Sequence, residues 1–174
     1  LQNLGYALRG QGKYTEAITC FEQAITILEE IRDSANCAIA QMNLGIVYWF
    51  AAQPAKALEI YTTAEHTFSK LHDMHNLAKI FTNKGLGYLT LCDWVHAEKS
   101  FMTSIALHQK VGDVSFRLSA LDGLGLVYLG QGQYDKANNT FESILAELPQ
   151  IVDTPMHEYL TMVLPDQLAQ AKQK

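Results

Sequence analysis

The sequence has no concentrated positive charge and no long apolar segment. Its 174 residues include 13 lysines and arginines against 18 aspartates and glutamates, and the basic residues never gather into a run. Neutralising a nucleic-acid backbone requires such a cluster. The longest apolar stretches, such as Ile46 to Ala52, are far shorter than the roughly 20 residues that cross a bilayer. We therefore expect a soluble protein that binds neither nucleic acid nor a membrane.

Cysteine and the common catalytic motifs are also scarce. The three cysteines, Cys20, Cys37 and Cys92, cannot all pair with one another and form no Cys-x-x-Cys unit, which favours a reducing cytoplasm. The sequence contains no glycine-rich phosphate loop and no Gly-x-Ser-x-Gly turn. His72 and His75 lack the further ligands that zinc needs. We expect no catalysis, no metal site and no cofactor.

A period of 40 residues accounts for most of the recurring small, aromatic and acidic residues. Four columns share this period, with no insertion between units. They are Gly5, Gly45, Gly85 and Gly125; Ala17, Ala57, Ala97 and Ala137; Phe21, Tyr61, Phe101 and Phe141; and Asp33, Asp73, Asp113 and Asp153. Agreement between four columns in one register indicates a repeat protein.

The aspartate column marks helix starts, because an aspartate carboxylate accepts hydrogen bonds from the free N–H groups of a first helical turn. In the second unit this predicts a first helix over Ser34 to Phe50. Short turns follow, whose glycines supply left-handed backbone conformations. Second helices are predicted at about residues 14–31, 55–71, 94–111 and 134–148. Such short links force consecutive helices to be antiparallel.

The glycine and alanine columns predict a tightly packed seam between helices. Glycine inside a helix costs about 0.5–1 kcal/mol relative to alanine, so its recurrence there needs a packing reason. The aromatic column and the tyrosines one turn beyond the glycines are expected to fill this seam. These tyrosines are Tyr48, Tyr88 and Tyr128.

The columns together resemble the tetratricopeptide signature L-G-x-x-Y followed by A-x-x-x-F-x-x-A. The matching segments are Leu44-Gly45-x-x-Tyr48 with Ala57-x-x-x-Tyr61-x-x-Ala64, and Leu124-Gly125-x-x-Tyr128 with Ala137-x-x-x-Phe141. The resemblance implies an all-α fold, a right-handed superhelical solenoid of antiparallel helix pairs. The commonest family period is about 34 residues, so longer helices are expected near each second-to-first junction. The longer period resembles repeats of bacterial signalling ATPases, transcription regulators, kinesin light chains and spindle-orientation adaptors.

The repeat also predicts how the chain is divided. Residues 1–152 are expected to form four helix pairs, the first helix of the first unit being truncated, and residues 153–174 a degenerate C-terminal capping helix. Pro165 stands in the glycine column and should kink or split that helix. Because the sequence begins with Leu1 and within a unit, we expect a piece of a longer protein.

First helices line the concave surface of such solenoids, where partners bind. Helical spacing predicts a peptide-binding groove made of Asn3, Tyr6, Arg9, Met42, Asn43, Ile46, Trp49, Lys79, Asn83, Leu86, Asp122 and Leu126. Three of these, Asn3, Asn43 and Asn83, form a ladder, each two residues before its glycine. An asparagine amide offers donors and an acceptor, as an extended peptide backbone requires, and the resemblance implies this role. A tolerated surface asparagine is the alternative.

Other groove residues are open to two interpretations. Trp49 and Phe50 could form an aromatic anchor for a ligand or part of the core. Asp122 could replace the amide where the ladder stops at Gly123. Lys79 and Asn43 resemble members of the dicarboxylate clamp of chaperone-binding relatives, but Gln2, Tyr6 and Asn83 depart from it. We expect Asn43, Asn83 and Trp49 to be accessible on the inner wall.

The leading hypothesis is a non-catalytic scaffold that binds a protein or peptide within a larger cytoplasmic regulatory protein. A second hypothesis is a small-molecule sensor, in which an enclosed ligand alters the coupling of the array to an effector domain. A third is a module for self-association into a homo-oligomer. Sequence alone does not select among these ligands.

Overall fold

The computed structural model describes residues 1–152 and 154–172, which fold into nine α-helices, one 3₁₀ helix and no strand. The helices are α1 (Gln2–Gly10), α2 (Tyr14–Glu30), α3 (Ser34–Phe50), α4 (Pro54–Lys70), α5 (Met74–Thr90), α6 (Trp94–Val111), α7 (Val114–Gly130), α8 (Tyr134–Glu147) and α9 (Pro155–Ala171). The 3₁₀ helix spans Leu148–Ile151. Along these ranges, no helix combines the length and apolar character needed to cross a membrane.

Consecutive helices pack in pairs, α1 with α2, α3 with α4, α5 with α6 and α7 with α8, and each second helix also contacts the next first helix. Turns of three residues join them, with a turn of two residues between α6 and α7, so partners run antiparallel. The predicted all-α solenoid of helix pairs is confirmed. Neighbouring first helices also touch directly, α3 with α5 and α5 with α7, which places the first helices along one wall.

The aspartate column caps the first helices as predicted. Asp33, Asp73 and Asp113 each accept a hydrogen bond from the backbone N–H three residues later, at 3.1, 3.0 and 3.1 Å. The hydrogen bonds from Asn36 hold the pKa of Asp33 below its ordinary value. The expected cap at Asp153 lies outside the described residues, and α9 instead begins after Thr154, whose hydroxyl accepts from His157 N–H at 3.1 Å.

The predicted seam is an aromatic ring set against each repeat glycine. A Cβ added at Gly45 would lie 2.3 Å from the ring of Tyr61, and one at Gly125 would lie 2.3 Å from the ring of Phe141. Phe21 and Phe101 occupy the same place opposite Gly5 and Gly85, at 2.7 Å. The alanines of the column are fully buried beside these rings. Glycine is therefore required because a ring, not a second backbone, approaches the helix.

The last helix, α9, packs on α7 and α8 and buries Leu160 and Leu164 completely. It runs without interruption through Pro165, so of the predicted kink or split, the split does not occur. Proline removes one helical hydrogen bond, and the apolar contacts of α9 on both sides of Pro165 compensate for that loss.

Every turn between helices α1 to α8 contains one residue with a left-handed backbone, always two positions before the first residue of the next helix. Glycine holds three of these positions, Gly12, Gly112 and Gly132, with φ of 71 to 74°. Arg32, Ala52, His72 and Cys92 hold the other four with φ of 54 to 57°. A side chain disfavours this conformation by about 1–2 kcal/mol. The glycine-based prediction therefore found only part of the pattern.

We expect Ala52→Gly to raise the free energy of unfolding by about 0.5–1 kcal/mol. Relief of left-handed strain outweighs the greater entropy of glycine in the unfolded chain, and Ala52 is exposed, so packing does not change. Gly132→Ala, at the equivalent turn of the fourth unit, is the matched control and should destabilise by a similar amount. Urea unfolding midpoints measure both. A lower midpoint for Ala52→Gly would contradict the interpretation.

Candidate peptide-binding cleft

A cleft of about 350 Å³ opens along the wall formed by the first helices. Side chains reach it from four successive units, through α1, α3, α5 and α7. Its lining consists of Tyr6, Arg9, Met42, Asn43, Ile46, Lys79, Thr82, Asn83, Leu86, Phe116 and Ser119. Most of the predicted groove residues therefore meet at one cleft. Asn3, Trp49, Asp122 and Leu126 are absent from its lining.

The cleft lining carries two cations, Arg9 and Lys79, and no carboxylate. The Arg9 guanidinium lies 5.9 Å from the centre of the Tyr6 ring and 5.8 Å from that of Phe50. The Lys79 ammonium lies 4.9 Å from the centre of the Phe116 ring. Aromatic faces rather than carboxylates hold both cations, so their N–H groups can bind an anionic group of a ligand. Desolvation raises the pKa of Tyr6, which keeps its hydroxyl a donor.

The three asparagines of the ladder are not equivalent. Asn83 is partly exposed in the cleft. Asn43 is only 7% exposed, and its Nδ2 donates to the backbone oxygen of Ile39 at 2.7 Å. Asn3 is exposed on α1 outside the cleft. Asn43 lines the cleft but is almost fully buried, so the expectation that it is accessible is wrong, and Asn83 is the more exposed of the two asparagines in the lining.

Trp49 and Asp122 are committed to contacts inside the protein. The Trp49 indole N–H donates to Thr90 Oγ1 at 2.9 Å, and its ring packs against the core of the second unit. Asp122 is 5% exposed and accepts hydrogen bonds from Gln167 Nε2 at 2.8 Å and from the Tyr159 hydroxyl at 3.2 Å. Burial raises the pKa of Asp122 despite these donors. Asp122 is therefore inaccessible on the inner wall, whereas Trp49 stays partly exposed but outside the lining of the cleft.

Leu126 is partly buried on α7 at the position equivalent to Tyr6, Ile46 and Leu86. Those three line the cleft, whereas Leu126 lies beyond its end. The cleft therefore stops within the fourth unit. Helical spacing alone could not locate that end.

Phe116 was missed by the sequence analysis although it lines the cleft and is exposed. It lies one turn before Ser119, which has the groove spacing on α7, so continuing that face towards the helix start would have found it. His108 stacks on Phe116 with ring centres 5.6 Å apart and an angle of 13° between the planes. His108 is fully buried, and neither ring nitrogen has a hydrogen-bond partner among the described residues.

A larger cavity, of about 450 Å³, opens between α2, α3 and α4 beside Cys37. Its lining comes from two units only and includes Glu29 and Arg32. Burial raises the pKa of the Cys37 thiol, with a smaller contribution from Glu29. A thiol of raised pKa is a poor nucleophile. The cleft of the first helices, shared by four units, is therefore the better candidate site.

The stacked helix pairs, with their first helices along one wall, place this chain in the class of helical-repeat proteins. The sequence profile described as tetratricopeptide repeat matches residues 1–66 and 76–146. The chain therefore belongs to the tetratricopeptide repeat family. Repeats of this family typically serve in protein interaction.

Solved structures share this fold at low sequence identity. A kinesin-light-chain-type protein of Podosopora anserina with nearly identical TPR-like repeats has a TM-score of 0.80 and 19% identity, covering 99% of this chain and 83% of its own. A second structure of that protein has a TM-score of 0.78 with the same identity and coverage. BtubC (BKLC) of P. vanneervenii has a TM-score of 0.76 and 21% identity, over 88% of this chain and 65% of its own. No curated protein matches the chain.

Proposed function

We propose that this chain is a non-catalytic scaffold that binds an extended peptide or protein segment in the cleft between α1, α3, α5 and α7. One observation carries the proposal: four successive units contribute apolar, amide and cationic side chains to a single open cleft. An extended segment can contact successive units in turn, as peptides do in grooves that span repeats.

The cleft chemistry supports a ligand with an apolar side chain next to a carboxylate. Met42, Ile46 and Leu86 offer an apolar floor. Arg9 and Lys79 supply N–H donors to an anion, and the Asn83 amide can bind a peptide backbone. Two cations are too few for a phosphate backbone, which supports a protein partner over nucleic acid. Resemblance to signalling proteins supports a cytoplasmic regulatory setting.

The test is selection of peptides from a random display library, followed by affinity measurement by fluorescence anisotropy. Asn83→Ala should weaken the selected peptides about twofold to tenfold, since one hydrogen bond contributes about 0.5–1.5 kcal/mol net. Unfolding midpoints should hardly change because Asn83 is partly exposed, and within the part of the chain that the structure describes its loss leaves no buried polar group unpaired. Lys79→Gln should weaken acidic members of the selected set further.

Asn139→Ala is the matched control, since Asn139 is exposed on α8 and outside the cleft. Its binding should equal that of the unaltered chain. Selected peptides that bind equally well to Asn83→Ala, Lys79→Gln and Asn139→Ala would move the binding site away from the cleft and refute the proposal.

A further inference from the structure

The junction between the second and third units differs from its neighbours on the side of the second helices. At the first junction, Leu44 is buried between Ile25 of α2 and Ile60 of α4. At the third junction, Leu124 is buried beside Ile105. Forty positions after Ile25, Leu44 and Ile60, the second junction has Glu65, Lys84 and Ser100. Glu65 and Lys84 thus stand at positions that are apolar in the other units, while the column of Ser100 also holds Cys20, Ile60 and Thr140.

A pocket of about 300 Å³, here called the third-unit pocket, lies at this junction and shares no residue with the cleft. It is lined by Glu65, Phe81, Lys84, Tyr88, His96, Lys99, Ser100 and Thr103. Lys84 Nζ donates to Glu65 Oε2 at 2.7 Å, with side chains 13% and 30% exposed. A well-packed apolar pair is often at least as stable as such an ion pair. Stability therefore does not explain why this junction is charged.

Tyr88 is also free of the contacts that occupy its counterparts. The Tyr48 and Tyr128 hydroxyls donate to Glu22 and Glu98, at 3.2 and 3.4 Å. Lys56 and Lys136 lie over the rings of those two tyrosines. In the third unit, His96 replaces the lysine and stacks on Tyr88 at 5.1 Å. Within residues 1–152 and 154–172 the Tyr88 hydroxyl has no such glutamate.

We propose that the third-unit pocket binds a carboxylate side chain of a protein partner. Lys84 and Lys99 outnumber the single carboxylate, Glu65, in a chain of net charge -5. An ammonium has three N–H donors. Lys84 therefore keeps N–H groups for a ligand after donating to Glu65, and the Glu65 carboxylate holds the ammonium in place. The Tyr88 hydroxyl is a further donor to an anion.

The other residues that line the third-unit pocket favour a carboxylate side chain over an inorganic anion. The Ser100 and Thr103 hydroxyls donate to the backbone oxygens of His96 and Lys99, at 2.7 and 2.8 Å, so they supply no donor to an anion. The rings of Phe81 and Tyr88 instead offer apolar contact to the methylene groups beside a carboxylate.

The experiment uses ¹⁵N-labelled protein and three probes: a blocked tetrapeptide with one glutamate, its glutamine counterpart, and inorganic phosphate. Backbone amide signals of Lys99, Ser100 and Thr103 report the third-unit pocket, and those of Asn83 and Leu86 report the cleft. The glutamate peptide should shift the pocket signals to saturation. The glutamine peptide and phosphate should each bind at least tenfold more weakly at the pocket.

The variant that removes the proposed site is the double substitution Glu65→Ile with Lys84→Leu, which introduces the residues found at the neighbouring junctions. This variant should fold with an unfolding midpoint no lower than the original, and the glutamate peptide should no longer shift the pocket signals. Should it fail to fold, Lys99→Gln, at an exposed position, replaces it and should weaken binding several-fold. Lys136→Gln, on the Tyr128 ring, is its matched control.

Unchanged pocket shifts in the folded double variant, or in Lys99→Gln, would overturn the proposal. So would the absence of saturation by the glutamate peptide. Saturation by phosphate with no response to the peptide would overturn the assignment to a protein side chain. Shifts confined to Asn83 and Leu86 would leave the cleft as a binding site while refuting this second one.

Discussion

Replacing Gly85 by leucine should lower the free energy of unfolding by about 3 kcal/mol or more. A Cβ at Gly85 would lie 2.7 Å from the Phe101 ring, and one at Gly123 would lie 2.4 Å from the same ring. Phe101 is fully buried and held between these two glycines, so it cannot move away from an added side chain. Overpacking of a dense interior typically costs about 1–3 kcal/mol, occasionally more. Chemical denaturation followed by circular dichroism measures the loss.

Gly10→Leu is the matched control for this variant. Gly10 ends α1, is exposed, and would place a Cβ with no heavy atom within 4 Å. Leucine there should be neutral or slightly stabilising, because it is a better helix former than glycine. If both leucine variants unfolded at the midpoint of the unaltered chain, the seam between the glycine column and the aromatic rings would not be a tight contact.

Replacing His108 by phenylalanine should stabilise the protein by about 1–3 kcal/mol at neutral pH. Equivalent positions in the other units carry Leu28, Phe68 and Leu148, and His108 is the one polar residue in that column. Its two ring nitrogens are buried without partners, and such a group costs about 1–3 kcal/mol. Phenylalanine removes this cost and retains an aromatic ring to stack on Phe116.

The benefit of His108→Phe should grow in acid. Desolvation lowers the pKa of His108 from 6.5 to about 4, nearby Asp113 opposes this shift, and His75 and Lys79 add to it. Between pH 6.5 and 4 the unfolded chain takes up a proton that folded His108 does not, so stability is lost as the pH falls through that range. At pH 5 this should amount to about 2 kcal/mol, absent in the phenylalanine variant.

Urea unfolding at pH 7 and at pH 5 tests both parts of this prediction. His66→Gln is the control, since His66 is exposed and its loss should leave the pH dependence intact. Equal acid sensitivity in His108→Phe and the unaltered chain would assign that sensitivity to other groups, and a lower midpoint at pH 7 would show that phenylalanine does not fit the site.

Local features of the chain were predictable because each depends on residues close in sequence. Asp33 and Asp73 cap helices through N–H groups three residues away, so the pattern identifies helix starts without any tertiary information. The left-handed turns at Ala52 and Cys92 were not predicted because they contain no glycine, although the same local hydrogen bonds close the helices there, from Gln53 N–H to Tyr48 O and from Asp93 N–H to Tyr88 O, both at 2.9 Å. Pro165 does not split α9 because contacts of this helix on two other helices outweigh one missing hydrogen bond.

The sequence by itself determined the 40-residue register, the helix pairs, the aromatic and glycine seam, and the wall on which the cleft lies. These follow from periodicity, which a helix converts directly into faces. Only the tertiary structure decided which residues on that wall are accessible. Asp122 is covered by α9, and Phe116 reaches the cleft from the fourth unit. Accessibility depends on what the next unit places over a side chain, and that neighbour lies about one repeat away along the chain.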